Sequence, residues 1–324
     1  MRDIIIQEIT KAARLDCDII FISSDFGAPA LDEFRRDLPS QFIQAGIAEQ
    51  NMIDVAAGLA LSGKKVFCYA MAPFLTTRCY EQIKCSLGAM NLPVCLIGVG
   101  VGFGYDNTSM THIAVEDLAV MRAINHLEIL TPSDSNIGVV MINEILKKPR
   151  LCYLRLERDK KLLDEPLYKS GEAETVFLQG IGGEVRDVTL IASGSMVRVA
   201  LEAKKILDFL DPSSKFWSDS VGVLDVVRVK PFPWERLRFI LNSPDLVVVV
   251  EEHVLNGGLG SAVVEALSDA QSQFFTVDTT LVLRLGLKDG FDMVNGDRAH
   301  LRKHFGIDAE SIAKVVLRMY GEDV

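Results

Sequence analysis

Residues 44–60 read Gln44-Ala45-Gly46-Ile47-Ala48-Glu49-Gln50-Asn51-Met52-Ile53-Asp54-Val55-Ala56-Ala57-Gly58-Leu59-Ala60. The pattern predicts a glycine-containing turn that leads into an apolar helix, with Glu49 at the mouth of that helix. A carboxylate at this position lies near the positive end of the helix dipole. On the residues alone, Glu49 is therefore explained as a capping or first-turn acid.

Short apolar, β-rich runs alternate with helical patterns on both sides of this stretch. Parallel strands joined by helical crossovers produce such an alternation. The first part of the chain therefore predicts a parallel sheet with helices on both faces. Strands are predicted over residues 18–23, 66–70, 94–99, 127–130 and 151–156, and helices over residues 49–61, 77–90, 115–125 and 134–147.

Charges and glycines interrupt this alternation from about residue 157 to residue 185, and a second α/β pattern follows. We therefore expect a first domain over residues 1–165, a linker over 166–185 and a second domain over 186–324. In the second domain, strands are predicted over residues 187–192, 220–224, 246–251 and 275–277, and helices over 195–209, 258–270 and 308–320.

Composition excludes several classes of protein. The chain has 324 residues, 49% of them hydrophobic and 24% charged, which suits a soluble protein of two domains. No apolar run approaches the roughly 20 residues of a membrane helix, and a formal charge of -10 disfavours nucleic acid. The amino terminus has the pattern of an amphipathic helix instead of a signal peptide, and the six cysteines lack Cys-x-x-Cys spacing. These features predict a cytoplasmic protein with free thiols.

The run from Gly46 to Gln50 resembles the Gly-Ile-Ala-Glu-Gln motif in the pyrimidine-binding domain of transketolases and 1-deoxyxylulose-phosphate synthases. The resemblance continues collinearly through most of the chain. It implies two doubly wound α/β domains, the second similar to the carboxy-terminal domain of transketolases. It also implies that Glu49 hydrogen-bonds the aminopyrimidine ring of thiamine diphosphate, so that the ring can take a proton from the thiazolium carbon.

Two further stretches resemble the parts of this family that contact the cofactor. Phe26 lies in Ser23-Ser24-Asp25-Phe26, which is similar to an Ala-Asp-Leu element whose apolar residue supports the bent cofactor. Phe74 and Tyr80 lie in a stretch that resembles Thr-Phe-Leu-Gln-Arg-Ala-Tyr-Asp-Gln, with one extra residue between the two aromatics. Either ring is a candidate to stack on the pyrimidine. Ordinary core packing explains all three aromatic residues equally well.

Residues 102–112 resemble the transketolase run Gly-Glu-Asp-Gly-Pro-Thr-His, whose Asp and His contact substrate hydroxyls. Asp106 and His112 inherit these roles. Tyr105 replaces the acid of the pattern, and about two residues are added before His112. This departure leaves room for an unusual donor or acceptor sugar. Without the resemblance, His112 is as readily an ordinary loop residue as a proton-transfer group.

Arg158 ends a stretch, Leu154-Arg155-Leu156-Glu157-Arg158, that resembles the Arg-Tyr-Pro-Arg of deoxyxylulose-phosphate synthases. The resemblance implies that Arg158 binds a sugar phosphate, and a guanidinium suits that role because its planar fork grips phosphate through two hydrogen bonds. The alternative is a surface arginine paired with a nearby acid.

A second glycine-rich turn lies at Asn256-Gly257-Gly258-Leu259-Gly260, between a predicted strand and a predicted helix. Such a turn can hold a phosphate at the start of a helix. Its spacing matches neither a dinucleotide fingerprint nor a P-loop, so close packing of strand against helix is the preferred explanation. The run Arg284-Leu285-Gly286-Leu287 supports the resemblance to the transketolase carboxy-terminal domain, which mainly helps dimerise in that family.

The chain lacks the domain that binds the diphosphate in these enzymes. Asp289-Gly290 and Asn295-Gly296-Asp297 resemble its metal motif only superficially, because the long spacing that brings both ligands to one metal is missing. The resemblance therefore implies a separate amino-terminal subunit that holds the diphosphate and its Mg²⁺ or Ca²⁺. We expect this chain to dimerise within an α2β2 assembly and to share the cofactor with that partner.

The predicted function is that of the carboxy-terminal (β) subunit of a split transketolase, which moves a two-carbon ketol unit between sugars or sugar phosphates. Three alternatives remain: a deoxyxylulose-phosphate synthase-like subunit, a β subunit of a 2-oxoacid dehydrogenase, and a non-catalytic scaffold of the same fold. The 2-oxoacid dehydrogenase subunits carry Gly-x-x-His-Ser-Gln where this chain has Met110-Thr111-His112. A scaffold would not need Glu49, Asp106 and His112 together.

Overall fold

A computed structural model describes residues 1–25, 27–158, 167, 176–179, 187–209, 221–235, 237, 245–274, 280–292 and 294–321. The chain divides into two compact units, residues 1–173 and 174–324. The division falls inside the predicted linker, 166–185. Each unit builds its own sheet, as the two alternating patterns of the sequence predict.

The first unit contains a parallel sheet whose central strands are mostly apolar and are buried along their whole length. Burial on both faces is typical of parallel sheets, because helices cover them on either side. The elements in chain order are α1 (Arg2–Ala13), β1 (Ile19–Ser24), α2 (Pro29–Asp37), β2 (Phe42–Gly46), α3 (Glu49–Leu61), β3 (Lys65–Met71), α4 (Ala72–Leu75), α5 (Tyr80–Gln82), β4 (Val94–Val99), α6 (Asp117–Arg122), β5 (Glu128–Leu130), α7 (Ser135–Lys147) and β6 (Cys152–Leu156).

The strands of this unit lie in the order β5-β6-β4-β3-β1-β2, and each neighbouring pair is parallel. The chain therefore moves outward in one direction from β1 to β2 and in the other from β3 onward. The reversal creates a topological switch point between β1 and β3. Open α/β sheets bind their ligands at such points, outside the carboxyl ends of the strands.

The region between β3 and β4 differs from the sequence prediction, which has one helix over residues 77–90. The Thr76 and Thr77 hydroxyls donate to the carbonyls of Ala72 and Pro73, at 2.8 Å in both cases. These side-chain bonds serve the carbonyls at the end of α4 and compete with a continued helix. Helical structure resumes in α5 and then widens to a π-helix over Ile83–Gly88.

The second unit contains a sheet in the order β12-β11-β8-β9-β7, parallel except for the antiparallel edge pair β7 and β9. The helix α8 packs against α11 and β9. The elements of this unit in chain order are β7 (Val176–Gln179), β8 (Val188–Ala192), α8 (Met196–Asp208), β9 (Val221–Val226), β10 (Arg228–Lys230), β11 (Leu246–Val254), α9 (Leu259–Phe274), β12 (Leu281–Leu287), α10 (Arg298–His304) and α11 (Ala309–Met319).

Four strands escaped the sequence analysis: β2, β7, β10 and β12. The edge strand β2 is only partly buried and ends in Gln44, Ala45 and Gly46, which suggested a turn. The strand β7 falls inside the predicted linker, but its Val-Phe-Leu run favours an extended chain. The strand β12 contains the Arg284–Leu287 run, whereas the strand predicted over 275–277 lies outside the described residues.

Two further features concern the state of the cysteines and the presence of membrane-spanning helices. All six cysteines are free thiols, as predicted. Over the described ranges, no helix combines the length and the apolar character needed to cross a membrane.

Candidate active site

Four strands of the first sheet end at the same edge, and a predicted site residue follows each of them. Glu49 follows β2, Phe74 follows β3, Asp106 and His112 lie in the loop after β4, and Arg158 follows β6. All neighbouring strands are parallel, so these carboxyl ends share one edge. The fold therefore brings residues that are up to 109 positions apart to the ligand-binding edge of the sheet.

Glu49 is the first residue of α3 and is 5% exposed. Its Oε2 accepts a hydrogen bond of 2.8 Å from Nη1 of Arg78. Among the described residues, its carboxylate accepts no hydrogen bond from the backbone of α3. Glu49 is thus a first-turn acid by position, but its carboxylate does not cap the helix. The charge of this carboxylate affects a nearby thiol. Burial raises the pKa of Cys79 to about 12, and the negative charge of Glu49 is the second cause of this rise.

Phe74 provides a flat, half-buried face beside Glu49. The Arg78 guanidinium lies over the Phe74 ring, 4.1 Å from its centroid. The edge of the same phenylalanine meets the His112 ring, with the two centroids 5.1 Å apart and the planes at 68°. Tyr80 lies on α5 and, in the part of the chain that the structure describes, stacks on no other ring. Phe74 is therefore the aromatic residue that the fold joins to Glu49 and His112.

Tyr105 anchors the loop that follows β4. An added Cβ on Gly100, which has a φ of +79°, would lie 2.0 Å from the Tyr105 ring. Glycine at this position therefore lets the ring pack directly on the backbone. The base of the loop is closed by an antiparallel bridge between Gly102 and Ala114. Burial raises the pKa of the Tyr105 phenol to about 12. The tyrosine that replaces the family's acid is thus a packed, neutral side chain.

His112 closes the same loop. Thr111 Oγ1 donates to the Thr108 carbonyl at 3.2 Å and lies 2.8 Å from Nδ1 of His112. The hydroxyl has one hydrogen to donate, so the direction of its bond to Nδ1 depends on the tautomer of His112. In either tautomer, Thr111 engages Nδ1, and Nε2 is the other ring nitrogen that can meet a ligand. Ser109, within the loop, has a φ of 66°, which is strained for a residue with a side chain and is a feature that concentrates at functional sites.

Asp106 begins the short 3₁₀ turn Asp106–Thr108, directly after Tyr105. It is half-buried, in the same loop as His112. The loop thus carries both residues that the family resemblance assigns to substrate hydroxyls.

Arg158 is exposed, and its guanidinium lies over the Tyr105 ring, 4.6 Å from the centroid. Arg155, three residues earlier, is buried and forms two hydrogen bonds to Asp117, of 2.7 and 2.9 Å. Tyr153 donates to the same carboxylate at 2.8 Å. The Asp117 carboxylate outweighs the cost of burial and raises the pKa of Arg155. Arg155 therefore supports the fold, while Arg158 remains accessible to a ligand.

Two residues of the site need separate mention: Phe26 was predicted but is not described, and Arg78 is described but was not predicted. Phe26, a predicted site residue, lies outside the described residues. Arg78 was not among the predicted site residues, although it follows Phe74 by four positions, a spacing at which helical side chains meet. That spacing was the available signal. Its pairing with Glu49, 29 positions away, required the fold.

The glycine-rich turn of the second unit is a structural feature. The Glu251 carboxylate accepts hydrogen bonds from the backbone N–H groups of Leu259 and Gly260, at 2.7 and 3.1 Å. An added Cβ on Gly258 would lie 1.9 Å from Glu251 Oε2. The start of α9 is therefore occupied by a carboxylate of the chain itself. Close packing explains these glycines, and the phosphate interpretation is not supported.

Comparison with known proteins identifies the family. The transketolase pyrimidine-binding domain matches residues 1–161, and the transketolase C-terminal domain matches residues 181–312. One subunit of an apulose-4-phosphate transketolase from Phocaeicola vulgatus is 32% identical over 314 residues, which cover 95% of this chain and 94% of the relative. The chain belongs to the transketolase family.

Two other members of the transketolase family are informative about length. A split gene transketolase, solved as an inactive β4 tetramer, superposes with a TM-score of 0.78 at 27% identity and covers 98% of this chain and 96% of that one. A 1-deoxy-D-xylulose-5-phosphate synthase from Caldanaerobacter subterraneus is 33% identical over 297 residues, 90% of this chain but 44% of that protein. The chain thus matches subunit-length relatives from end to end and about half of a longer one.

These matches confirm the predicted transketolase family and the predicted pair of α/β domains. Transketolases and deoxyxylulose-phosphate synthases depend on thiamine diphosphate. The residues at the sheet edge fit the aminopyrimidine ring of that cofactor. Phe74 offers a flat face, Glu49 offers a carboxylate acceptor that no backbone group of α3 occupies among the described residues, and a planar cation, Arg78, already makes both kinds of contact.

Proposed function

We propose that this chain is the carboxy-terminal (β) subunit of a split transketolase. It transfers a two-carbon ketol unit between sugars or sugar phosphates, together with a separate amino-terminal subunit. One observation carries the proposal: a buried carboxylate, Glu49, and the ring of Phe74 both contact the Arg78 guanidinium at the carboxyl-end edge of the sheet, and the same ring contacts His112. The end-to-end match to the apulose-4-phosphate transketolase relative supports it.

Glu49 and Phe74 are the proposed cofactor residues. When bound, thiamine diphosphate supplies a thiazolium carbon that acts as a nucleophile once deprotonated. Phe74 holds the flat pyrimidine by stacking. Glu49 holds a proton between its carboxylate and a ring nitrogen, and the low exposure of this carboxylate strengthens the hydrogen bond because competing water is excluded. Phe26 and Tyr80 remain secondary candidates for cofactor contacts.

His112, Asp106 and Arg158 are the proposed substrate residues. Thr111 engages Nδ1 of His112, so Nε2 is the ring nitrogen that hydrogen-bonds a substrate hydroxyl. Asp106, a short distance along the same loop, accepts from a second hydroxyl. Arg158 is exposed and carries a guanidinium suited to a terminal phosphate. The three residues therefore favour a phosphorylated sugar with neighbouring hydroxyls.

The proposed partner is the subunit that binds the diphosphate. Within the described ranges, no group of three or more His, Cys, Asp or Glu side chains is arranged to hold a metal ion. We therefore assign the Mg²⁺ or Ca²⁺ of the cofactor to the partner and propose an α2β2 assembly in the cytoplasm, in which this chain also contacts its own copy. The β4 tetramer formed by the split gene relative supports a chain that self-associates.

Reconstitution tests this proposal. The purified chain is assayed for thiamine diphosphate binding and for ketol transfer, alone and after mixing with the product of a neighbouring gene if that gene encodes a diphosphate-binding subunit. We expect no activity from either chain alone and activity in the mixture. Full activity of the isolated chain, or an inactive mixture that binds no cofactor, would contradict the proposal.

A deoxyxylulose-phosphate synthase-like activity is the second candidate, because a synthase relative matches 90% of this chain at 33% identity. That reaction uses a 2-oxoacid as donor in place of a ketose phosphate. The two candidates are separated by offering the reconstituted complex pyruvate or a ketose phosphate with the same aldehyde acceptor. Turnover with pyruvate as the donor, and none with the ketose phosphate, would favour the synthase.

A further inference from the structure

Arg78 contacts a carboxylate and an aromatic ring at the same time. Its Nη1 donates to Glu49 Oε2 at 2.8 Å, and its Cζ lies 4.1 Å from the centroid of Phe74. Under the proposed function, these are the two contacts that the aminopyrimidine ring makes: a hydrogen bond to Glu49 and a stack on Phe74. A guanidinium is planar, delocalised and rich in N–H donors, so it reproduces both features of the ring.

We infer that Arg78 occupies the position of the aminopyrimidine ring in the cofactor-free chain and must move aside when the cofactor binds. The inference rests on the proposed function and adds a competing side chain to it. The cofactor and Arg78 cannot hold the same face of Phe74 and the same oxygen of Glu49 at once, so each binding event displaces the other contact.

The surroundings of Arg78 allow this movement. Its side chain is 41% exposed, whereas the Glu49 side chain is 5% exposed. The guanidinium therefore has a route into solvent while its acceptor stays in place. The backbone of Arg78 is held separately, because Gln50 Nε2 donates to the Arg78 carbonyl at 3.2 Å. Rotation of the side chain can thus release Glu49 and Phe74 without disturbing the turn between α4 and α5.

The pairing also has a consequence for the cofactor-free chain. A buried carboxylate without a partner is costly, and Arg78 supplies the partner. The ion pair between Arg78 and Glu49 therefore stabilises the chain until the partner subunit and the cofactor bind. Apparent cofactor affinity is then reduced by the fraction of molecules in which Arg78 covers the site.

The test uses the isolated chain and the cofactor's ring alone, 4-amino-5-hydroxymethyl-2-methylpyrimidine, with binding measured by calorimetry at pH 8. If Arg78 covers the site in about nine molecules of ten, Arg78→Gln lowers the apparent Kd about tenfold. Adding Glu49→Ala to this variant reverses the gain if the fragment binds at Glu49.

Arg35→Gln is the matched control. Arg35 also lies over an aromatic ring, 5.0 Å from the centroid of Phe42, and also bonds neighbouring side chains, Asp32 and Gln44. It is on α2, outside the candidate site, so its loss leaves the affinity for the fragment unchanged. A second measurement needs no variant: higher salt weakens a partly exposed ion pair, so salt tightens binding of the neutral fragment to the wild-type chain.

Equal affinity of the wild-type and Arg78→Gln chains, weaker binding by the variant, or no binding by either overturns the inference. The reconstituted enzyme separates this result from a failure of the proposed function. If the mixture of subunits still performs ketol transfer, the function stands and only the role of Arg78 falls. If the mixture binds no thiamine diphosphate, the function falls as well.

Discussion

Two buried glutamates each lie beside the start of a helix, but their oxygens have different partners. Glu251 accepts hydrogen bonds from two backbone N–H groups of α9, so its carboxylate completes the fold of the second unit. Glu49 begins α3 and accepts its hydrogen bond from Arg78, a side chain that is 41% exposed. Backbone partners cannot leave without unfolding the helix, whereas a side chain can rotate away. The difference separates a structural carboxylate from one that is available to a ligand.

Two glycines show a related difference. Gly258 is packed against the Glu251 carboxylate, and an added Cβ would overlap its oxygen. Gly58, on the exposed face of the helix that begins at Glu49, has open space where a Cβ would be. A side chain is therefore excluded beside the structural acid and tolerated at Gly58. Each of the following substitutions tests one side of this comparison.

The largest effect is expected for Glu49→Gln. The variant keeps the size of the side chain but removes the negative charge, and we expect ketol transfer by the reconstituted complex to fall by about a thousandfold, or about 4 kcal/mol. The free energy of unfolding of the isolated chain should change by less than about 1 kcal/mol, since the pair with Arg78 is partly exposed. Wild-type turnover by this variant would show that Glu49 has a structural role, as Glu251 does.

Glu251→Gln is expected to have the opposite profile. A glutamine oxygen can accept from one backbone N–H of α9, but its amide cannot accept from the other, so a buried donor loses its partner. We expect the free energy of unfolding to fall by about 2 kcal/mol. Urea titration of the isolated chain measures this loss. A variant as stable as the wild type would show that the capping bonds of Glu251 contribute little.

The two glycines provide a smaller, paired test. Gly258→Ala forces a methyl group against the Glu251 carboxylate, and we expect a loss of about 1–3 kcal/mol in the free energy of unfolding. Gly58→Ala places a better helix former in open space and should stabilise the chain by about 1 kcal/mol. Shifts of the same sign in thermal unfolding of the two variants would contradict the contrast between a packed and an exposed glycine.

The smallest effect concerns the exclusion of water from the candidate site, and it can be measured only at high pH. Burial raises the pKa of Tyr105 to about 12, against about 10 in an unfolded chain. The unfolded state therefore releases this proton first as pH rises. The contribution of Tyr105 to stability is complete below pH 10 and is lost between about pH 10 and 12. Urea midpoints of the wild type should fall more steeply in this window than those of Tyr105→Phe. Parallel curves would mean that water reaches the phenol.

Much of the fold followed from local pattern. The helix α3 and the strand β4 have the predicted bounds, because apolar residues recur at helical spacing in α3 and run without interruption through β4. The turn before α5 did not follow, since it depends on the hydroxyls of Thr76 and Thr77 bonding back to α4. The edge strand β2 was missed because a half-buried strand that ends in Gly46 has the composition of a turn.

For the site, sequence motifs supplied the candidates and the fold supplied their relations. Glu49, Phe74 and His112 were predicted from resemblance, and the structure joins them through ring and ion-pair contacts. Sequence spacing does not show that Arg155 is buried while Arg158 is exposed, or that Arg78 lies over Phe74. Both features depend on where side chains point after long-range packing. The catalytic and binding roles of these residues remain predictions for the experiments above.

The bridge between Gly102 and Ala114 has a consequence for how proteins of this kind change their preferences over time. It fastens the two ends of the loop that carries Asp106 and His112, so residues added between them extend the loop without shifting β4. Under the proposed function, insertions at this place would change the part of the site that faces the sugar, while Glu49 stays at the start of α3. A loop fastened in this way can be exchanged between relatives, and such an exchange would alter the choice of sugar without moving that acid.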